Sequence, residues 1–325
     1  MSIEKKPLVN DLYTADPSAH VFNGKIYIYP SHDEDIDVEN NDNGDQYDMK
    51  DYHVYEMPDT ETYPRDCGCV LKLEDIPWAS KQLWAPDCVE KDGKYYFVFP
   101  ARDKEGFFRI GIATSDKPEG PFKAEPNYIP GSYSIDPCMF PDTDGKYYLT
   151  FGGIWGGQLD QYRKNKWSAD NKEPKGDEEA CTAKIALMKD NLLEMAEEPK
   201  DIMILDENGK PLTGGDEARR YFEDPWMFKK GDTYYFTYST GTTHLLCYAT
   251  SKNVYGPFTY GGVILTPVLG WTTHHSILEY NGKWYLFYHD CERSGGINQK
   301  RNVKFRELKF NDDGSIQTMD GSLDK

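Results

Sequence analysis

Three carboxylates, a tryptophan and a histidine stand at matching points of five similar segments, where they could carry out acid–base chemistry together. The five residues are Asp16, Trp84, Asp136, Glu223 and His274. Each lies ten or eleven positions before the first member of an aromatic pair such as Tyr-Tyr; in the first segment this pair is Ile26-Tyr27. One carboxylic acid can protonate a leaving oxygen while a carboxylate activates water, and a third carboxylate nearby raises the pKa of the acid. A tryptophan adds a flat apolar face for a sugar ring. The set favours cleavage of a glycosidic bond, although a single Asp-Pro more often caps a turn.

The segments that carry these residues repeat one pattern: a polar lead-in, apolar residues, a turn with glycine and an aromatic strand. The five copies span 16–31, 85–101, 136–153, 224–240 and 274–290. The NGK, DGK and KGD triplets supply the positive-φ positions of tight hairpin turns. Alternation in YYFVF and WYLFY gives each strand two differently packed faces. Each copy is therefore predicted to form a β-hairpin.

A weaker strand follows each hairpin, and the five lie at 51–57, 108–115, 183–189, 244–251 and 302–308. Gly-Pro-Phe after two of them predicts a fourth strand, and helical periodicity is limited to weak candidates around 178–198. Five such sheets with few open edges predict an all-β fold, a five-bladed β-propeller. We expect it to span 1–325 as a single domain without an appended β-sandwich. A β-sandwich with coincidental tyrosine pairs is the alternative.

The amino-acid composition agrees with this fold class and argues against some classes of binding partner. The 325 residues are 38% hydrophobic and 14% aromatic, and the net charge is -18. A negative surface repels phosphate backbones and anionic lipid, so we expect an oligosaccharide partner and neither nucleic-acid nor membrane binding. The seven cysteines are scattered and complete no zinc pattern, and the first ten residues lack the apolar stretch of a signal peptide. We expect a cytoplasmic protein with reduced thiols; a secreted chain trimmed of its signal is the alternative.

Uneven spacing between the copies places the largest insertions at 33–50, 154–180 and 199–220. The first insertion has the composition of a calcium loop. However, Lys50 stands where the bidentate glutamate of such a loop should be. We interpret this insertion as a solvated loop or as a wall of the site.

The five-copy pattern resembles glycoside hydrolase family 43, the five-bladed propeller β-xylosidases, α-L-arabinofuranosidases and arabinanases. The resemblance covers nearly the whole chain and rests on TADPS at 14–18, LWAPD at 83–87, SIDPCMF at 134–140, YFEDPWMF at 221–228 and THHSILEYNGKWYLFYHD at 273–290. Any one of these motifs alone is weak, whereas the set is specific.

The resemblance assigns roles to the three carboxylates. Asp16 matches the family's general base, Asp136 the aspartate that tunes and orients the acid, and Glu223 the general acid. Many members have Glu-Gly-Pro where this chain has Glu223-Asp224-Pro225, so Asp224 is a rival for the acid. The family mechanism inverts the anomeric carbon, which implies a base–acid separation of about 6.5–9.5 Å.

The resemblance also implies binding residues. His274, with His275 as the alternative one step away, matches a channel histidine that in many members contacts Ca²⁺ or its waters; zinc is not supported there. Arg301 matches an arginine that reaches the terminal sugar, against the alternative of an ordinary surface residue. Trp84 is expected to form a wall of the sugar pocket, and Trp155 and Phe222 are further candidates.

Together these features predict an exo-acting, inverting hydrolase that removes terminal xylose or arabinofuranose from oligosaccharides derived from plant hemicellulose. Loops 33–66 and 154–180, or a neighbouring subunit of a homo-oligomer, would have to close the pocket. Two alternatives remain: a retaining hydrolase or transglycosidase acting on fructosyl substrates, and a non-catalytic sugar-binding propeller.

Overall fold

Five small, mainly antiparallel sheets make up the fold, and each contains one of the repeated hairpins. We describe it from a computed structural model, which covers residues 2–36, 38–271 and 273–324. Tight turns connect the strands of three hairpins: Asn23-Gly24, Asp92-Gly93 and Asn281-Gly282. All six of these residues have φ between 50° and 78°. Two positive-φ residues in a two-residue loop match the right-handed twist of the flanking strands, which explains why these sequences form hairpins.

The strands follow one another blade by blade along the chain. Blade I contains β1 (Tyr13–Phe22), β2 (Lys25–Asp33), β3 (Asp51–Met57) and β4 (Arg65–Lys72). Blade II contains β5 (Ala79–Lys81), β6 (Asp87–Lys91), β7 (Lys94–Asp103), β8 (Phe108–Ser115) and β9 (Lys123–Ala124). Blade III contains β10 (Cys138–Pro141), β11 (Tyr147–Phe151), β12 (Lys184–Leu187) and β13 (Lys200–Asp201). Blade IV contains β14 (Ile204–Leu205), β15 (Glu223–Lys230), β16 (Thr233–Ser239), β17 (Leu246–Ser251) and β18 (Phe258–Leu265). Blade V contains β19 (His275–Tyr280), β20 (Lys283–Asp290) and β21 (Asn302–Leu308).

Among residues 2–36, 38–271 and 273–324, helical structure is limited to short 3₁₀ segments, at Leu73–Asp75, Leu159–Asn165, Glu292–Ser294 and Gly321–Asp324. Across the described residues, no helix has the length and apolar character that a membrane crossing requires. The weak helical candidates around 178–198 were wrong: this stretch contains β12 and a bridge between Met188 and Met195. Pairing of β12 with β11 overrides the local helical preference there.

Side-chain hydrogen bonds join the innermost strands of neighbouring blades around the whole ring. Each of the five junctions has one: Ser18 to Asp87, the Met139 N–H to Asp87, the Asp224 N–H to Asp136, the His275 N–H to Asp224, and the Ala19 N–H to Ser276. The four bonds from backbone N–H groups measure between 2.6 and 3.0 Å. All these groups are buried, so each bond satisfies a polar group that could not reach water.

The N-terminal segment closes the ring against the last blade. The N–H groups of Lys5 and Leu8 donate to the carbonyls of Phe305 and Val303 on β21, at 3.0 and 2.9 Å. Blade V has three strands of its own in the part of the chain that the structure describes, and the N-terminal segment covers its outer edge. A covered edge cannot pair with another chain.

Aromatic side chains from the repeated strands fill the spaces between blades. Tyr29 of blade I and Phe97 of blade II are fully buried, with ring centroids 5.9 Å apart, and Phe228 of blade IV meets Trp284 of blade V at 5.1 Å. Burial of each such ring contributes on the order of 2 kcal/mol. The prediction of an all-β, single-domain, five-bladed propeller is confirmed.

Candidate active site

Three aspartates occupy the same place in three blades, at the start of the innermost strand and directly before a proline. Asp16, Asp136 and Asp224 have φ of 50°, 57° and 64°, a left-handed conformation that aspartate adopts more readily than most residues. In β1 and β15 the pairing register also shifts at this point. The bulge turns the side chains out of the strand alternation and towards the end of the central channel.

A cavity of about 310 Å³ lies at this end of the channel. All eight site residues predicted from the sequence line it: Asp16, Trp84, Asp136, Trp155, Phe222, Glu223, His274 and Arg301. Its remaining walls come from residues 40–49, 268–271 and 289–298 of the same chain, together with Ala85 and Ile135. The insertions at 33–66 and 154–180 therefore do contribute to the pocket, whereas the contribution of the loop before β19 was not foreseen.

Asp16 is held in its ionised form. Its carboxylate accepts hydrogen bonds from Arg301 Nη1 at 2.9 Å and from the Ser31 hydroxyl at 2.5 Å. Burial raises the pKa of Asp16, but the nearby positive charges, with Arg301 first, outweigh burial and lower it to about 2. The Asp16 N–H donates to His289 Nδ1 at 3.0 Å, which fixes the backbone beneath the carboxylate.

Arg301 is itself fixed by a second carboxylate. Its Nη2 and Nε donate to the two oxygens of Asp33 at 2.7 and 2.8 Å, the paired geometry that a planar guanidinium favours. Its guanidinium carbon also lies 4.8 Å from the centroid of the Tyr47 ring. Arg301 is therefore a positioned residue of the pocket, and the surface alternative for it is wrong.

Glu223 has the opposite electrostatic character from Asp16. Burial, followed by repulsion from Asp16, raises the pKa of Glu223 to about 8, although Arg301 opposes the rise. Burial and the charges of Glu223 and Asp16 also raise the pKa of Asp136. At neutral pH the pocket thus contains an ionised carboxylate and a protonated carboxylic acid, which is the division that general acid–base catalysis needs.

Asp224 lies behind the pocket and contacts two histidines. Its Oδ2 accepts the His275 N–H at 3.0 Å and also contacts His275 Nδ1, while its Oδ1 lies 3.0 Å from His274 Nε2. Asp224 is 1% exposed and does not line the cavity, whereas Glu223 does. This arrangement favours Glu223 over its rival as the group that reaches a substrate.

His274 and His275 likewise differ in whether the side chain reaches the cavity. His275 is fully buried, and its Nε2 bonds the Thr237 hydroxyl at 2.6 Å. His274 lines the cavity, with Nδ1 at 3.7 Å from Asp16 Oδ1 and 3.9 Å from Asp136 Oδ2. Burial lowers the pKa of His274 to about 4, so the ring is neutral at neutral pH.

These groups fit a hydrated cation at His274. With the ring proton on Nε2, towards Asp224, His274 Nδ1 presents a lone pair on the side of Asp16 and Asp136. A nitrogen lone pair and two carboxylates that converge in this way suit a divalent ion surrounded mainly by oxygen atoms, as Ca²⁺ prefers.

Aromatic side chains shape the walls and the mouth. Trp84 donates its indole N–H to the Tyr47 carbonyl at 2.9 Å, and its ring lies directly over Gly44, where a Cβ would come within 2.5 Å of it. At the mouth, the half-exposed Trp155 stacks on Trp271, with ring centroids 5.8 Å apart and an interplanar angle of 24°.

Four residues of the site were not foreseen: Asp33, Tyr47, Trp271 and His289. One signal could have found two of them, because His32-Asp33 and His289-Asp290 are His-Asp pairs that end aromatic strands. Tyr47 and Trp271 lie in loops and carry no periodic signal. Their place in the pocket depends on contacts across blades.

Comparison with known proteins agrees with the fold. The family model for glycosyl hydrolases family 43 matches residues 5–316. A xylosidase/arabinosidase of Bacteroides ovatus is 57% identical over 322 residues, which are 99% of each chain. Xylosidase/arabinosidase 43A of Humicola insolens is 58% identical, with 96% of this chain and 98% of that protein covered. A family 43 β-xylosidase/α-arabinofuranosidase from a compost metagenome, solved with xylotriose in a calcium-free form, is 55% identical with a TM-score of 0.96, covering 99% and 98% of the two chains. The chain belongs to glycosyl hydrolase family 43 and is a glycoside hydrolase.

Proposed function

We propose that this hydrolase removes terminal xylose or arabinofuranose units from short oligosaccharides derived from hemicellulose. The observation that carries the proposal is the opposite protonation of Asp16 and Glu223 within one cavity. The relatives named above act as xylosidases and arabinosidases, and one neighbour was solved with xylotriose. A cavity of about 310 Å³ is at the small end of ligand pockets, which suits the end of a sugar chain.

The proposed reaction is a single displacement with inversion. The Asp16 carboxylate takes a proton from a water molecule as the water oxygen attacks the anomeric carbon. The bond from that carbon to the leaving oxygen breaks at the same time, and Glu223 delivers its proton to this oxygen. Asp136, whose carboxyl group interacts electrostatically with Glu223, would orient and tune this acid. Arg301 keeps Asp16 ionised and offers donors to the sugar hydroxyls.

We further propose that Ca²⁺ binds at His274 through its Nδ1 and through water molecules. The fit of the donor groups supports this proposal, and the calcium-free form of the compost enzyme is consistent with a role for the ion in such enzymes. A bound cation would add positive charge beside Asp16 and hold His274 in one orientation.

A hydrolysis screen tests this function. Wild-type enzyme is assayed on nitrophenyl β-D-xyloside, α-L-arabinofuranoside and a fructoside, with and without chelator, and NMR identifies the first-formed anomer of xylose. We expect pentoside hydrolysis with inversion, lost in Asp16→Ala. Activity on the fructoside alone, or retention of configuration, would favour the retaining alternative. Unchanged residual activity in Asp16→Ala and Glu223→Gln would favour a non-catalytic binding protein.

We also propose a cytoplasmic location. All seven cysteines are free thiols, including the exposed Cys69, and exposed free thiols persist best in a reducing compartment. Fractionation of the source cells with an antibody against the chain tests this proposal. Recovery of the protein outside the cytoplasm would contradict it.

A further inference from the structure

Two histidines and an aspartate form a cluster on blade I, outside the catalytic cavity. His32 lies near the end of β2, and Asp51 and His53 lie on the neighbouring β3. One ligand atom from each of the three side chains lies within 4.8 Å of the other two. The side chains are 16%, 25% and 17% exposed, so the cluster is sheltered but open to ions from solvent.

A fourth residue orients one of the histidines. His53 Nδ1 lies 2.9 and 3.2 Å from the two carboxylate oxygens of Asp66 on β4. This bond places the ring proton on Nδ1 and leaves the Nε2 lone pair available. A carboxylate that holds the far nitrogen of a histidine is the usual outer partner of a metal-binding imidazole.

The rings are also placed as they would be around one ion. The centroids of His32 and His53 lie 5.7 Å apart with an interplanar angle of 70°. Two imidazoles that share a tetrahedral ion, each nitrogen about 2 Å from it, have centroids roughly 5 Å apart. Ligand atoms of such an ion are roughly 3.3 Å apart, whereas those of the cluster lie up to 4.8 Å apart and the His32–Asp51 pair lies 2.6 Å apart. Some pairs must therefore close and the His32–Asp51 pair must open, by about 1.5 Å at most, which χ rotations allow.

The third ligand supplies negative charge. Asp51 Oδ1 lies 2.6 Å from His32 Nδ1, and a metal ion would replace the proton that these two atoms share. Two imidazoles with one carboxylate suit Zn²⁺, Co²⁺ or Ni²⁺ better than Ca²⁺, because these ions accept nitrogen ligands readily. The donor set is therefore chemically different from the oxygen-rich surroundings of His274.

We propose that His32, Asp51 and His53 bind a divalent transition-metal ion of the Zn²⁺ class, with water as the fourth ligand and Asp66 as the positioning residue. The bound ion would join β2 to β3 and, through Asp66, to β4. Three separate strands contribute, so no sequence spacing of the usual zinc-motif kind accompanies the site.

Calorimetric titration of chelator-treated, full-length protein with ZnCl₂ tests the proposal. We expect wild type to bind one more equivalent of Zn²⁺ than His32→Gln or His53→Gln. Asp66→Asn keeps the stoichiometry but weakens affinity about 10- to 100-fold. His20→Gln is the matched control, because His20 also pairs with a single aspartate, Asp87 at 2.6 Å, and we expect it to bind as wild type does.

The visible spectrum of Co²⁺-loaded protein gives a second readout. Wild type should show the strong absorption of a four-coordinate ion, and His53→Gln should lose it. Thermal melting verifies that each variant folds, and either histidine variant suffices if the other does not fold. Equal Zn²⁺ binding by wild type and both variants would overturn the proposal. So would loss of the extra equivalent in His274→Gln alone, which would place the ion in the central channel.

Discussion

Replacing Arg301 with glutamine should move the pH–rate profile of this hydrolase to higher pH. Arg301 lies 2.9 Å from Asp16 and is 11% exposed, so solvent screens the pair little. Two unit charges 4 Å apart interact by about 4 kcal/mol at an effective dielectric constant of 20, which corresponds to about 3 pKa units. An aspartate beside an arginine in proteins shifts by about 1–3 units, and we take this range as the expected change.

The sign follows from the role of each group. The base Asp16 must be ionised, so activity falls as pH drops through its pKa of about 2. Without Arg301 this limb should rise by about 1–3 units, to between about pH 3 and 5. The acid Glu223 must be protonated, so activity falls as pH rises through about 8. Arg301 also lowers the pKa of Glu223, and its removal should move this limb upward as well.

The assay is kcat/KM on nitrophenyl xyloside from pH 2.5 to 10, since this ratio reports the ionisations of the free enzyme. Lost sugar contacts would lower the curve without moving its limbs. Lys300→Gln is the control: it removes the same charge one residue away, from the pair with the exposed Asp35, and should shift either limb by less than about 0.3 unit. Limbs that stay in place in Arg301→Gln would refute the electrostatic reasoning.

The Arg301→Gln substitution should also reduce fold stability, and a double variant separates this effect from the shift in pH dependence. Removing Arg301 leaves Asp33 buried without its bidentate partner, which costs about 3–5 kcal/mol of fold stability when a buried pair is broken. The double variant Arg301→Gln/Asp33→Asn removes both charges, and should melt at a higher temperature than the single variant. Because the charge next to Asp16 is still absent, it should keep the raised acid limb.

Three further predictions concern the acid, the wall and the ring. Glu223→Gln should lower kcat/KM on xylobiose by about 10²–10⁴-fold but much less on a dinitrophenyl xyloside, whose leaving group needs no proton; equal losses on both substrates would contradict the acid role. Gly44→Ala places a Cβ 2.5 Å from the Trp84 ring and should raise KM more than it lowers kcat, at a stability cost of about 1–3 kcal/mol, as steady-state kinetics and urea denaturation can measure. Asp87→Ala leaves the Met139 N–H and the Ser18 hydroxyl, at two blade junctions, without their acceptor and should lower the free energy of unfolding by about 1–3 kcal/mol; an unchanged urea midpoint would show that these two bonds do not contribute to stability.

The blades and the central carboxylates were predictable because both follow from a repeat. A hairpin turn such as Asn23-Gly24 determines its strand pairing locally, and fivefold repetition then places Asp16 and Asp136 at one end of the channel. It was harder to predict which of the adjacent carboxylates, Glu223 or Asp224, is the general acid. Asp224, not Glu223, is the repeat equivalent of the other two aspartates, because each of the three aspartates has a positive φ and lies directly before a proline. Only the geometry shows that Glu223 faces the cavity.

The rest of the site depends on contacts that no local pattern encodes. Arg301 and Asp33 lie 268 positions apart and meet only because the last blade closes against the first. Trp271 reaches Trp155 from a loop on another blade. Likewise β13 and β14 are two residues long, too short for any periodic signal, and they exist because neighbouring strands supply their hydrogen bonds.

Asp136 lines the floor of the cavity and also accepts the N–H of Asp224 from the next blade, while Asp224, directly behind the cavity, accepts the N–H of His275 from the following blade. Few substitutions should therefore be tolerated at Asp136 and Asp224, since each would remove a hydrogen bond between blades as well as alter the acid–base chemistry of the site. The rim consists of loop residues, 40–49 and 268–271, and several of its bonds to blade II are accepted by backbone carbonyls, those of Gly44, Tyr47 and Met49, which do not depend on the side chain. Redesign towards other sugars should accordingly vary the rim and leave the floor untouched, and natural relatives with new specificities should have diverged in the same order.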